Sequence, residues 1–362
     1  MDAPISALET QVFVVPLDEP EADGTFTWDA TTVVVVHIDA AGQRGIGWTY
    51  GSSACASVVH ELLEPAVIGT SALDVPRAWE AMVRSIRNQG RPGISSMAIA
   101  AVDVAMWDLK AKLMGLPLHA LLGAARDEVP VYGSGGFTSL PDDGLVSQLV
   151  AWVEAGIPRV KMKIGAGWGA GAPGDVDRVR LVRDAMGPEP ELYVDANGAY
   201  DRKQAVRVAG RLEAAGVTWF EEPVSSDDLE GLRVVRAATS IDVAAGEYGY
   251  DLAYFARMGP CIDVLQADAS RCAGITEWLR AAAVAASFSL PISSHCAQSL
   301  HVAAACAVPN LRHVEYFADH AHADRRLFDG VLEPIGGSLR PDPDRPGLGL
   351  DLKRPDAARF AA

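Results

Sequence analysis

The chain has 362 residues, 49% hydrophobic and 22% charged, an ordinary globular composition that can bury a large core and that by length suits two domains, or one large barrel with an addition. The 31 basic and 47 acidic residues leave a net charge of −16. That excludes nucleic-acid binding through a basic face, argues against docking on anionic membranes, and sets a global field against an acidic substrate.

The N-terminus carries Asp2 and no basic stretch, so a signal peptide is not expected. Residues 31–38 (TTVVVVHI) are rich in β-branched side chains and predict a strand, and Gly42, Gly45 and Gly47 read as a turn into a second one. Residues 57–67 and 75–87 predict helices. Residues 96–122 carry the strongest helical signal, with Ile99, Val102, Met106, Leu109 and Leu113 at three- and four-residue steps. Gly115-Leu116-Pro117 interrupts that stretch and Gly123 ends it. Strands followed by helices predict a small α+β domain over residues 1–125.

From residue 129 the pattern alternates. Short apolar strands are predicted at 131–132, 159–164, 191–194, 218–220, 242–245, 261–266, 290–293 and 312–315, each followed by a turn and an Ala/Leu/Arg-rich helix. Such βα repetition gives a parallel sheet, and eight units favour a closed barrel over residues 126–318. The remaining 319–362 are rich in Pro, Gly and Asp, and the irregular Pro346-Gly347-Leu348-Gly349 stretch is expected to pack back on the first domain. Five widely spaced cysteines with no C-x-x-C read as reduced thiols of a cytoplasmic protein rather than as disulfides or a zinc site. No apolar run approaches the roughly 18 residues of a membrane span.

In a parallel barrel the strand C-termini converge on one mouth. Lys161 and Lys163, two apart and so on one side of their strand, sit after the second strand; Asp195, Glu221 and Glu247 follow the third, fourth and fifth. Asp268, His295 and Glu315 follow the last three. The three middle carboxylates are 26 residues apart each time, about one βα unit, which sets them at one height on adjacent strands. Clustered carboxylates repel unless a cation neutralises them, and an all-oxygen set suits Mg²⁺. Either Glu221 or its neighbour Glu222 can supply the fourth strand's ligand, since alternation lets only one point inward. With such a cation a substrate carboxylate has its α-proton acidified. Lys163 is then one base, its amine pKa lowered by Lys161, and His295, oriented by Asp268, serves the opposite face. Glu315, held protonated, would donate a hydrogen bond to the substrate carboxylate.

The set Lys161-Met162-Lys163, Asp195-Ala196-Asn197, Glu221-Glu222-Pro223, Gly246-Glu247, Asp268 with Arg271 and Gly274, Ser293-Ser294-His295 and Glu315 resembles the enolase superfamily, in its mandelate racemase-like subgroup. The stretch 101–123, with Trp107-Asp108 and Pro117-Leu118, is similar to the end of that family's capping domain. The resemblance implies a (β/α)7β modified TIM barrel with an N-terminal α+β capping domain completed by the C-terminal segment. It also implies one Mg²⁺ per site on Asp195, Glu221 and Glu247, a small-molecule carboxylate substrate, and a homo-oligomer. Residues 18–29 and 50–53 resemble loops that close over the substrate, so Phe26 and Trp28 are expected to line it, with Asn197 and Ser134 as further contacts. Cys272-Ala273-Gly274 departs from the pattern, because relatives often carry another glycine there.

Several readings stay beside this one. Gly169 to Gly174 spells G-x-G-x-x-G with Asp195 about 20 residues on, but its distance from the strand and internal Pro173 favour a long loop over a dinucleotide site. Asp319-His320-Ala321-His322 reads as a polar loop near the mouth, and Gly133 to Gly136 as a strand-end turn. The reaction is expected to be dehydration of a sugar acid to a 2-keto-3-deoxy acid. Racemisation or epimerisation and lactone cycloisomerisation use the same groups. The intact set of both bases and Glu315 speaks against a non-catalytic metal-binding barrel, and a two-carboxylate glycosidase gives no role to the lysine pair or to three equally spaced acids.

Overall fold

The computed structural model describes residues 3–362. Its first unit is an antiparallel sheet of β1 (Ile5–Ala22), β2 (Thr27–Ala40) and β3 (Gln43–Tyr50), paired in that order. The unbroken run Val33–Ile38 in β2 has a direct cause: both faces are covered. Val34, Val36 and Ile38 pack with the helices of this unit, while Val33 and Val35 join the core that continues into the barrel. β1 was not among the expected strands, and Gly45 and Gly47 lie inside β3 rather than in a turn. They are small because the helix Ile94–Met114 presses on that face: a Cβ at Gly45 would sit 2.3 Å from the Ala105 carbonyl, and one at Gly47 2.3 Å from that of Ala101. The other helices here span Val75–Ser85 and a continuous turn series from Ala54 to Val67 with a π-helical middle at Val59–Leu63.

The second unit is a closed barrel of eight parallel strands: β4 (Val129–Gly135), β5 (Arg159–Lys163), β6 (Glu191–Asp195), β7 (Val217–Glu221), β8 (Asp242–Ala245), β9 (Val264–Ala267), β10 (Ile292–Ser294) and β11 (Leu311–Phe317). Pairing of β11 with β4 closes it. Helices Asp142–Glu154, Ala172–Met186, Arg202–Ala214, Leu229–Ala237, Leu252–Met258, Ile275–Ser287 and Gln298–Cys306 fill the seven intervals, so the architecture is (β/α)7β. Gly133 and Gly135 are strand residues, not a turn. A Cβ at either would strike Trp152 of the following helix, at 2.7 and 2.9 Å. Residues 259–261 form a 3₁₀ turn, so the sixth barrel strand starts only at Val264. Inside the barrel, Tyr132, Tyr193, Trp219, Ala244 and Val264 form an apolar plug. Neutral His313 lies against it 4.6 Å from the Tyr132 ring, its burial lowering its pKa well below the ordinary value.

The C-terminal residues run back over the first unit. Leu118 N donates to the Gly347 carbonyl at 2.7 Å, and Leu348 N to Asp108 Oδ1 at 2.7 Å. Asp108 also accepts from Ile46 N at 2.8 Å, so one buried carboxylate ties β3, the long helix and the tail. Trp48 and Phe328 pack with ring centroids 4.4 Å apart. A second buried carboxylate, Asp103, joins the long helix to the barrel: it accepts from Thr276 N at 2.9 Å at the start of helix Ile275–Ser287. No described helix is long and apolar enough to cross a membrane.

Candidate active site

Strand register sets the site. Lys163 pairs with Asp195 and Asp195 with Glu221 on β5, β6 and β7, which puts these three side chains level at the C-terminal mouth. Glu247 comes from just beyond β8, after Gly246, which stands at φ +132° and where a Cβ would lie 2.9 Å from the Gln266 carbonyl. Ligand oxygens of Asp195, Glu221 and Glu247 lie within 4.8 Å of one another, and all three residues are buried. Burial pushes the Asp195 carboxyl up, but Lys163 and Lys161 hold it below its ordinary value; Glu221 is raised well above its own by burial and by the Asp195 charge. Three buried acids in one shell therefore do not all ionise without a cation. Glu247 Oε2 has no hydrogen-bond partner. An all-oxygen, buried donor set with an orphaned oxygen fits a hard divalent ion.

The lysines fill different roles than spacing suggested. Lys161 is wholly buried inside the barrel, 2.7 Å from both Glu221 oxygens and 2.7 Å from Glu315 Oε1. Lys163 reaches the mouth and is bound by Asp195 Oδ2. Burial and Lys161 both oppose its charge, as expected for the latter, yet Asp195 outweighs them and the amine is held above its ordinary range. Glu315 also differs from expectation. Burial pushes its carboxyl up, but Lys161, His295 and Lys163 pull it far below the usual range, so it is ionised and not a proton donor. It accepts from Cys296 N at 2.6 Å.

His295 follows β10 and its Nδ1 lies 2.8 Å from Asp268 Oδ2. Burial raises Asp268, but the His295 hydrogen bond and the charges of His295 and Arg271 pull it far down, so it is an acceptor and Nδ1 carries the proton. The other ring nitrogen, Nε2, lies 3.2 Å from Cys296 Sγ and 3.4 Å from Glu247 Oε2. Arg271 bridges Glu247 Oε1 at 2.8 Å and Asp268 at 3.6 Å. Ala273, in the stretch that departs from the family pattern, has φ +65°, a left-handed conformation that glycine adopts more readily.

A cavity of about 570 Å³ opens above these groups, between the strand ends and β1–β3. Lys163, Asn197, Glu247 and His295 line it from the barrel, and Phe26, Trp28, Tyr50 and Ser52 from the first unit. Phe26 is 66% exposed, so it flanks an entrance rather than a packed wall, while Trp28 packs edge-on against Phe137. Asn197 Oδ1 has no partner and stands at φ +46° after Asp195. Ser134 does not reach the cavity: it is fully buried inside β4 beneath the mouth, because it pairs level with Lys161 and not with Lys163. Glu222 is also buried, at φ +35° and opening on a neighbouring chamber with Tyr248 and Tyr254; burial and then Glu247, Asp195 and Glu221 raise its carboxyl well above the ordinary value. Glu221 is thus the one grouped with Asp195 and Glu247.

Four further residues contribute to the wall, two of them expected near the mouth but in a loop. Asp319 and His320 belong to the helix Ala318–Leu327, not to a loop, and His320 stacks on Tyr50 at 3.5 Å while burial lowers its pKa to about 3. Tyr248 and Cys296 also line the cavity. Their only sequence signal is adjacency to Glu247 and His295. The G-x-G-x-x-G segment is a short turn into helix Ala172–Met186, and Asp175 of that helix takes the Gly165 amide at 3.0 Å, leaving no phosphate cradle there.

Comparisons with known proteins agree with this geometry. Residues 8–123 match the mandelate racemase / muconate lactonizing enzyme N-terminal domain, and residues 144–357 match the enolase C-terminal domain-like family. A mandelate racemase/muconate lactonizing enzyme-like protein from Rubrobacter xylanophilus is 50% identical, with a TM-score of 0.96 over 99% of this chain and 100% of that one. L-talarate/galactarate dehydratase from Salmonella typhimurium is 32% identical over 317 residues, 86% of this chain and 78% of its own. Its structure liganded with Mg and L-lyxarohydroxamate superposes with a TM-score of 0.92, at 29% identity over 100% and 94% of the two chains. 3,6-Anhydro-alpha-L-galactonate cycloisomerase from Streptomyces coelicolor is 32% identical over 366 residues, 97% of this chain and 98% of its own. Both domains of the family are matched, over most of the chain, and this protein belongs to the enolase superfamily, in its mandelate racemase/muconate lactonizing enzyme family.

Proposed function

We propose that this enzyme abstracts the proton α to the carboxylate of a sugar acid and expels the β-hydroxyl, giving a 2-keto-3-deoxy acid. One observation carries the reading. Lys163 on β5 and His295 after β10 stand on opposite sides of the strands β6–β8 that present the carboxylate triad, and both line one cavity. Asp195, Glu221 and Glu247 would hold Mg²⁺. When bound, the ion would supply positive charge for the substrate oxygens and offset the charge of the triad. Lys163, once its ammonium has given a proton to solvent, removes the α-proton at its Nζ. His295, held through Nδ1 by Asp268, gives a proton from Nε2 to the departing hydroxyl. Lys161 and Glu315 form a buried ion pair that sets the charge of the cavity floor. Asn197 and Trp28 orient the substrate. In this reading residues 1–125 cap the site, 126–318 carry it and 319–362 return to the cap. Five free, buried cysteines suit a cytoplasmic setting.

The same two bases support racemisation or epimerisation if the second proton goes to the α-carbon instead. Incubating acid sugars and α-hydroxy acids with Mg²⁺ in D₂O separates the outcomes. A 2-keto product means dehydration, and α-deuterium without loss of water means racemisation or epimerisation. Turnover that survives both Lys163→Ala and His295→Asn would overturn the assignment.

A further inference from the structure

Beside the oxygen triad lies a cluster with a different donor set. His295 Nε2, Cys296 Sγ and a Glu315 oxygen fall within 4.8 Å of one another, with all three residues buried. Sγ is 3.2 Å from Nε2. Tetrahedral zinc, with ligands at about 2.0 and 2.3 Å, would set that pair about 3.5 Å apart, a small adjustment. The backbone holds the thiol in place. Cys296 and Ala297 stand at consecutive left-handed φ values of +42° and +45°, secured by Cys296 N donating to Glu315 and Ala297 N donating to His320 Nδ1 at 3.0 Å. The Asp268 hydrogen bond to Nδ1 is the outer-sphere support that metal-binding histidines use. Among the described residues Cys296 is the one cysteine on the cavity wall, beside His295, so an ion there has a route in from the cavity.

We propose that His295, Cys296 and Glu315 form a second metal site that takes a thiophilic divalent cation of the zinc class and, when filled, blocks the His295 face of the active site. A nitrogen, sulfur and oxygen set selects such an ion, whereas the triad selects a hard one. On binding, the Cys296 S–H bond breaks, its proton leaves to solvent and the thiolate gives an electron pair to the cation; nothing is oxidised or reduced. The Nε2 lone pair is consumed in the same event, so His295 can no longer take or give a proton. The blocking rests on the proposed function; the metal site does not.

The test is titration of the chelator-stripped, dialysed protein with CoCl₂. Wild type should develop a near-ultraviolet thiolate-to-cobalt charge-transfer band at one equivalent per band-forming site, removed by added ZnCl₂. Cys296→Ser and Cys296→Ala should both lack it. ZnCl₂ should inhibit wild-type turnover, and the half-inhibiting concentration, each variant read against its own zinc-free rate, should rise by about 10-fold or more without the thiol. No band in wild type, or a band that persists in either variant, overturns the site. A band with unchanged zinc inhibition in the variants overturns the blocking.

Discussion

Asp324 offers a test of the packing beneath the cavity. It is fully buried on helix Ala318–Leu327 and accepts from Tyr50 Oη at 2.5 Å and Ser299 Oγ at 2.6 Å. Burial outweighs these hydrogen bonds and lifts its pKa from 3.8 to about 7. The folded chain therefore keeps a proton that the unfolded chain releases first. Stability falls as pH rises between the two values, and the full penalty, about 4 kcal/mol for about 3 pKa units, is in force above the folded value. Asp324→Asn keeps the shape and never ionises, so it escapes the penalty at the cost of about 1 kcal/mol for one mismatched hydrogen bond. Measured by urea unfolding, the wild type should lose about 3 kcal/mol relative to the variant between about pH 5 and about pH 8.5. Asp103, with a pKa raised to about 7, and Glu21, raised to about 8, both by burial first, bend the pH curves of both proteins the same way and cancel in the difference. A stability difference that stays constant across that range would refute the reasoning.

Gly274 stands at φ +98°, and a Cβ there would lie 2.2 Å from Asp103 Oδ2, so Gly274→Ala should cost about 1–3 kcal/mol of stability in urea or thermal unfolding. A variant as stable as wild type would show that the Asp103 junction yields freely. Asp268→Asn leaves His295 without the acceptor that fixes its Nδ1–H, and kcat should fall about 10³- to 10⁴-fold with little change in fold by circular dichroism. Asp195→Asn should weaken Mg²⁺ binding in calorimetry by about 10-fold or more, and an unaltered affinity would remove Asp195 from the ligand set.

Legibility in the sequence followed the physics of each element. Barrel strands buried on both faces read as short apolar runs, and the equal spacing of Asp195, Glu221 and Glu247 reported their level placement because one βα unit consumes a near-constant length of chain. β1 escaped notice because Pro16, Pro20 and several acids occupy it, and it is an edge strand whose exposed face tolerates them. The glycines of β3 and β4 read as turns because sequence shows only the missing side chain. The helix or the Trp152 ring that fills its place is distant in the chain. Protonation states were harder still. Lys161 and Lys163 stand two apart on one strand, which suggests mutual repulsion, but their carboxylate partners come from β6, β7 and β11, and those decide the sign.

The same point governs the global charge. A net −16 opposes an anionic substrate only as far as the charges that create it can act, and screening confines that to about 8 Å in physiological salt. Within that distance the balance is local: Asp195, Glu221, Glu247, Asp268 and Glu315 face Lys161, Lys163 and Arg271. Fully ionised, this group carries −2, and it is the charge of one divalent cation that brings it to neutrality. Without the cation both lysines are engaged by carboxylates and have nothing to offer a substrate anion. A divalent cation held by Asp195, Glu221 and Glu247 would compete with the lysines for the same carboxylates. On the proposed function, the local acids that add to the global charge would be the ones that hold the ion and so let a carboxylate approach.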